Sequence, residues 1–120
     1  MKQLEHTEQV TLMQWWALAC QSFGVPEQLL FAIPNGGARD RVTGKILKDE
    51  GVRAGVPDLF LAWANGQYGG LFIEMKKTKG GRVSDAQKEY LQMLTAAGYD
   101  AVVCHGWFEA KDAIESYLRG

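Results

Sequence analysis

The sequence predicts an α/β domain, on three observations. Segments of helical period alternate with short apolar runs, in the order helix, short run, strand, strand, helix, strand, helix. Hydrophobic residues make up 47% and charged residues 22% of the 120 positions, which excludes the disordered and collagenous classes. Apolar positions extend from Leu4 to Leu118 with no repeat and no low-complexity linker, so a single core suffices for residues 1–120.

Residues 5–19 read as a helix, because Val10, Met13 and Ala17, with Leu12, Trp16 and Ala19, form a broad apolar face. Gly24 and Pro26 interrupt it. Leu29–Ile33 reads as a strand or as the end of a second short helix, and Asn35-Gly36-Gly37 requires a turn or loop. Ala38–Glu50 is polar and basic around Ile46 and Leu47, which suggests a short helix ending at Gly51. Leu59–Ala64 and Leu71–Lys76 are strands joined by the glycine-rich reversal Asn65–Gly70, hence a hairpin. After a basic loop, Ser84 and Gln87 have capping-box spacing and open a helix that runs to Ala97, with Leu91 and Leu94 facing inward. Gly98 terminates it. Tyr99–Cys104 reads as a strand and Phe108–Leu118 as a closing helix, with Ala110, Ala113, Ile114 and Tyr117 on its apolar stripe.

Thirteen basic residues face fourteen acidic ones, a formal charge of -1, so bulk charge does not announce a nucleic-acid partner. Carboxylates gathered at a reaction centre would mask a basic surface. Cys20 and Cys104 form no CxxC or zinc-like spacing and sit among apolar residues, which makes them buried free thiols. No signal-peptide pattern or membrane-length apolar stretch is present, and the expected compartment is cytoplasmic, with no membrane partner. His6 and His105 make no convincing metal pair, although His105-Gly106-Trp107 follows a strand and has the form of a functional loop. The four tryptophans read as core or interface residues.

The chemistry concentrates in Pro57-Asp58, fifteen residues, then Glu74-Met75-Lys76. On a strand, Phe72, Glu74 and Lys76 share one face. Burying unpaired charge is costly, and two carboxylates facing a divalent cation with a lysine beside them resolve that cost. The hairpin can bring Asp58 near Glu74. The two could then supply oxygen ligands to Mg2+ or Mn2+, with the Met75 carbonyl as a third and water completing the shell. Lys76 could hold a water and stabilise hydroxide while the metal polarises a phosphate. Taken alone, the same residues also fit a solvated strand edge with an incidental salt bridge.

Motifs in a fixed order span nearly the whole chain. Glu5, Glu8 and Gln9 lie in the first helix, followed by Ile33-Pro34-Asn35-Gly36-Gly37 with Arg39, and Leu47-Lys48 with Glu50-Gly51-Val52. Gly55-Val56-Pro57-Asp58-Leu59 and Gly70-Leu71-Phe72-Ile73-Glu74-Met75-Lys76 come next. Gly81-Arg82-Val83-Ser84 with Gln87, and Gly98-Tyr99, complete the series. Each is weak singly. Together they resemble the VRR-NUC domains of the PD-(D/E)XK nuclease superfamily, in the stand-alone form found in bacteriophages. The resemblance implies a restriction-endonuclease-like core, a central mixed β-sheet flanked by helices, over residues 1–120.

It further implies a DNA endonuclease with Asp58, Glu74 and Lys76 as the catalytic set and Gln87 in the active-site surroundings. A glutamate of the first helix, Glu5 or Glu8, would join the metal directly or through water. Residues three apart share a helix face, so spacing does not separate the two. Stand-alone members are similar to Holliday-junction resolvases, which implies a homodimer acting on branched DNA, within a bacterial host's cytoplasm if phage-encoded. A replication or recombination protein would be a further partner. Asn35, Gly36 and Gly37 could offer backbone donors to phosphate. Arg39, Arg41, Lys45, Lys48, Lys77, Lys79 and Arg82 are candidates for the DNA backbone. Cleavage of flaps, nicks or duplex, and non-catalytic DNA binding on a nuclease fold, are the alternatives.

Overall fold

The computed structural model describes residues 2–34 and 41–120. Helix α1 covers Lys2–Ala19 and continues into a 3-10 turn over Cys20–Phe23, which Gly24 closes at φ 71°. Strand β1 is Leu30–Ala32, α2 is Arg41–Asp49, β2 is Leu59–Leu61 and β3 is Leu71–Lys76. Helix α3 spans Asp85–Ala96, β4 spans Asp100–His105 and α4 spans Trp107–Arg119. The strands lie in the order β1-β2-β3-β4. β1–β2 and β2–β3 are antiparallel, and β3–β4 is parallel with α3 as its crossover. The sheet is therefore mixed and flanked by helices, as expected.

Local chemistry sets the boundaries. Nothing in Lys2–Leu4 breaks a helix and Glu5 lies in the first turn, where a carboxylate favours the dipole, so α1 begins ahead of the expected residue 5. Helix α2 ends as expected at Gly51, where φ is +103°. The Gly51 N–H donates to the Lys48 carbonyl and the Val52 N–H to the Leu47 carbonyl, the two bonds of a Schellman cap. Gly98 and Tyr99 repeat that cap on α3, donating to Thr95 and Leu94. The hairpin strand stops at Leu61 instead of Ala64, because the Trp63 N–H turns back onto the Leu61 carbonyl at 3.0 Å. The Asn65 side chain builds the reversal: its Oδ1 accepts from the N–H groups of Gln67 and Tyr68, and its Nδ2 donates to the Tyr117 carbonyl.

The main core lies between one sheet face and the α1–α4 pair. Leu12 and Trp16 of α1 and Ala110 and Ile114 of α4 are fully buried with Leu59, Leu61, Leu71 and Ile73 of the sheet. Cys20 and Cys104 are free and buried, as expected, and burial pushes the Cys104 thiol up to about 12. Strand alternation then turns Phe60, Phe72, Glu74 and Lys76 to the opposite face. There Phe60 stacks on Phe72 at 4.2 Å. Helix α3 packs on β4, and its Gln87 bonds to Glu74, so α3 covers this second face. No described helix is long and apolar enough to cross a membrane.

Candidate functional site

The site forms where β2 and β3 part. Their pairing ends at Leu59↔Ile73, so Asp58 stands one residue past the ladder. Its carboxylate takes over from the missing strand, and Oδ2 accepts the Met75 N–H at 2.7 Å. On the other side the Asp58 carbonyl accepts the Ile33 N–H at 2.8 Å. Asp58 is thus fixed from both neighbouring strands, with Pro57 fully buried behind it. Gly55, at φ +85°, lies so close to α3 that a Cβ there would sit 2.6 Å from the Ala86 carbonyl oxygen. The segment leading into Asp58 therefore rests on the first turn of α3, one residue from Gln87.

Glu74 and Lys76 are only 3% and 8% exposed, which removes the reading of a solvated strand edge. Lys76 Nζ lies 3.5 Å from Glu74 Oε2, and Gln87 Nε2 donates to the same oxygen at 3.0 Å. Gln87 fills the capping role that its position suggested and also bonds Glu74. Its Oε1 accepts the Ser84 N–H at 2.9 Å while Ser84 Oγ accepts the Gln87 N–H at 3.2 Å, completing the capping box. The cap clamps the amide, and the amide's remaining donor aims at Glu74.

Two carboxylates and one ammonium leave this pocket electrostatically unbalanced. Burial, then the Asp58 charge, pushes Glu74 up to about 8 against the pull of Lys76. Asp58 is also raised by burial, although the Met75 N–H, hydrogen bonding with Glu74 and the Lys76 charge work against that. Glu74 Oε1 is buried and, among the described residues, receives no hydrogen bond. Such an oxygen costs about 1–3 kcal/mol or more unless something else satisfies it. Hard carboxylate donors, one of them orphaned, suit a hard divalent cation. Among the described residues, no three His, Cys, Asp or Glu side chains cluster as a metal site.

The two first-helix glutamates separate here. Glu8 Oε1 accepts the Trp107 N–H at 2.7 Å and so caps the first turn of α4. A Cβ on Gly106 would lie 3.1 Å from that oxygen. Glu5 is half-buried in the first turn of α1.

The basic candidates divide as well. Lys77, Lys79 and Arg82 follow Lys76 directly in the 77–83 loop, with Lys79 and Arg82 exposed. That loop folds back over Lys76, since a Cβ on Gly81 would sit 2.8 Å from Lys76 Cβ. Lys45 and Lys48 are exposed on α2, and Lys45 pairs with Asp49 at 2.8 Å. Arg41 opens α2. Asn35, Gly36, Gly37 and Arg39 lie outside the described residues. Sequence reasoning did not anticipate the Glu8 cap or the packing of Gly55 on Ala86. The only available signal for the latter was a glycine three residues before Asp58.

The fold and site define a mixed α/β domain in which two strands part around Asp58, Glu74 and Lys76. The comparisons with known proteins narrow that class. The VRR-NUC domain model matches residues 3–108, and the chain belongs to this family. A solved structure titled "VRR_NUC domain protein" is 32% identical, covering 96% of this chain and 88% of its own, with a TM-score of 0.82. No curated protein matches significantly. Family membership supports a nuclease-type activity.

Proposed function

We propose that this domain is a Mg2+- or Mn2+-dependent DNA endonuclease that acts on branched DNA as a homodimer. The observation that carries the reading is the buried Glu74 carboxylate, flanked by Lys76 and Asp58, with one oxygen unsatisfied. Asp58, Glu74 and the Met75 carbonyl would hold the ion, with Glu5 the freer of the two helix glutamates to join through water. When bound, the ion supplies Lewis acidity toward a phosphodiester and lowers the cost of forming hydroxide.

The chain's own residues account for the remaining functions. Gln87 fixes Glu74 in one rotamer by bonding its Oε2. Lys76 holds a water for attack and stabilises the charge that forms on it. Lys77, Lys79 and Arg82, on the loop beside Lys76, hold the DNA backbone and contribute salt-dependent affinity without reading bases. The sequence has no helix-turn-helix or zinc-finger spacing, which favours recognition of shape. A two-fold dimer would present two such sites to two strands.

Cleavage of a length-matched panel tests this: four-way junction, flap, nicked, single-stranded and duplex DNA, each with Mg2+, Mn2+ or chelator. Metal-dependent cutting that favours the junction is expected, from a protein of dimeric solution mass. Preference for flaps, nicks or duplex would replace the substrate and keep the chemistry. Absence of cutting on every substrate would remove the nuclease reading in favour of DNA binding alone.

A further inference from the structure

Beyond the lysine and its carboxylates, the structure assigns a positioning role to His105, which locks the exit of β3 and thereby the side chain of Lys76. The inference rests on the nuclease reading for its consequence in catalysis, and on hydrogen bonds for its geometry. His105 is paired in register with Lys76 across the parallel β3–β4 ladder. Residues so paired project to the same face, so the imidazole stands in the row of Lys76, on the face of Glu74.

The corner that carries it is held on both sides. The His105 N–H donates to Glu109 Oε1 at 2.7 Å, and the Trp107 N–H donates to Glu8 Oε1 at 2.7 Å. Between them the Gly106 N–H donates to the Lys76 carbonyl at 2.9 Å. Thr78 closes against the same corner, since a Cβ on Gly106 would meet its Cγ2 at 2.6 Å. From this anchored position His105 Nδ1 reaches the Lys77 carbonyl at 3.2 Å. A carbonyl only accepts, so Nδ1 carries the proton.

Lys77 is the first residue past the last strand pair, and its carbonyl is the first one outside the ladder. The carbonyls of both Lys76 and Lys77 are thus tied to the β4–α4 corner. Fixing them fixes the backbone on the C-terminal side of Lys76 and the direction in which its long side chain leaves the strand. An unbranched lysine has ample rotamer freedom to lose its aim. His105 touches no reacting group and acts through Lys76.

The test exploits amide mimicry. An asparagine amide can replace the Nδ1–H donor, and a glutamine amide corresponds to Nε2. We expect His105→Ala and His105→Gln to lower the single-turnover rate roughly tenfold, with DNA affinity within about twofold, as for a misaligned reacting group. His105→Asn should return the rate to within about threefold of the native protein. Two readouts do not depend on cleavage. Long-range proton–nitrogen correlation should show the His105 proton on Nδ1. The Lys76 Cε resonance should move in the Ala and Gln variants and stay in the Asn variant.

Rescue by Gln but not Asn would overturn the proposal, as would native rates and an unmoved Lys76 resonance in all three. A proton found only on Nε2 would also overturn it. If the Ala variant fails to fold, the Asn–Gln contrast decides. If the native protein cuts no DNA, the nuclease reading fails and the two resonance measurements decide the positioning claim alone.

Discussion

Replacing Glu74 with glutamine should stabilise the metal-free protein at alkaline pH, at the expense of metal binding. Glu74 is pushed from an ordinary value of 4.5 up to about 8 by burial and by Asp58. An acid whose folded value is raised binds its proton more tightly in the native state. Its favourable contribution is therefore complete at low pH and is lost as pH rises from about 4.5 toward 8. At about 1.4 kcal/mol per pH unit, that span sets a ceiling of roughly 5 kcal/mol. Solvent at the partly exposed Asp58, and the titration of Asp58 itself, reduce this to about 1–2 kcal/mol. The substituted glutamine would not titrate, and its amide oxygen still accepts from Gln87. Thermal melts in chelator from pH 5 to 8.5 should show Glu74→Gln gaining on the native protein as pH rises, by roughly 3–8 °C at the alkaline end. Manganese should then raise the native melting temperature and leave that of the variant unmoved. A gap that stays flat with pH, or closes toward alkaline pH, would refute the electrostatic account of the pocket.

Three further outcomes follow from the same geometry. Lys76→Met should fold and bind DNA while single-turnover cleavage at saturating enzyme falls by about 100-fold or more; a rate near native would remove its catalytic role. Gln87→Ala should lose both the capping bond and the Glu74 bond, costing about 1–3 kcal/mol in denaturant melts and lowering metal affinity. Ser84→Ala removes the other capping bond, from the Gln87 N–H to Ser84 Oγ, and keeps the Glu74 bond, so equal metal affinities in the two variants would contradict the split. Gly55→Ala forces a Cβ to 2.6 Å from the Ala86 carbonyl at φ +85° and should cost about 2–4 kcal/mol; a melt within experimental error of native would show that the loop slides freely on α3.

How much of this the sequence reveals depends on whether a feature is local. The period-two alternation in Leu71–Lys76 put Glu74 and Lys76 on one face, and the hairpin put Asp58 beside them, because strand geometry and a short reversal need no further information. Ser84 and Gln87 showed their cap for the same reason. The end of β2 was not legible. Ala62-Trp63-Ala64 continues the apolar run, and only the turn of Trp63 back onto Leu61 stops the strand. Glu5 and Glu8 share a helix face, and the partner that distinguishes them, the Trp107 N–H, lies 99 residues away. His105 escaped assignment because its neighbour is set by the register of a parallel crossover, which no local pattern encodes.

Titration of manganese into the folded native protein and into Asp58→Asn and Glu74→Gln, followed by calorimetry, tests the central claim most directly. The Asp58–Glu74 pair predicts one measurable site in the native protein and, in each variant, affinity lower by at least roughly tenfold, with folding intact by circular dichroism. Binding should also release protons near neutral pH, since burial raises both carboxylates and a cation favours their ionised forms. Undiminished affinity in both variants would contradict the assignment of these carboxylates as the metal site.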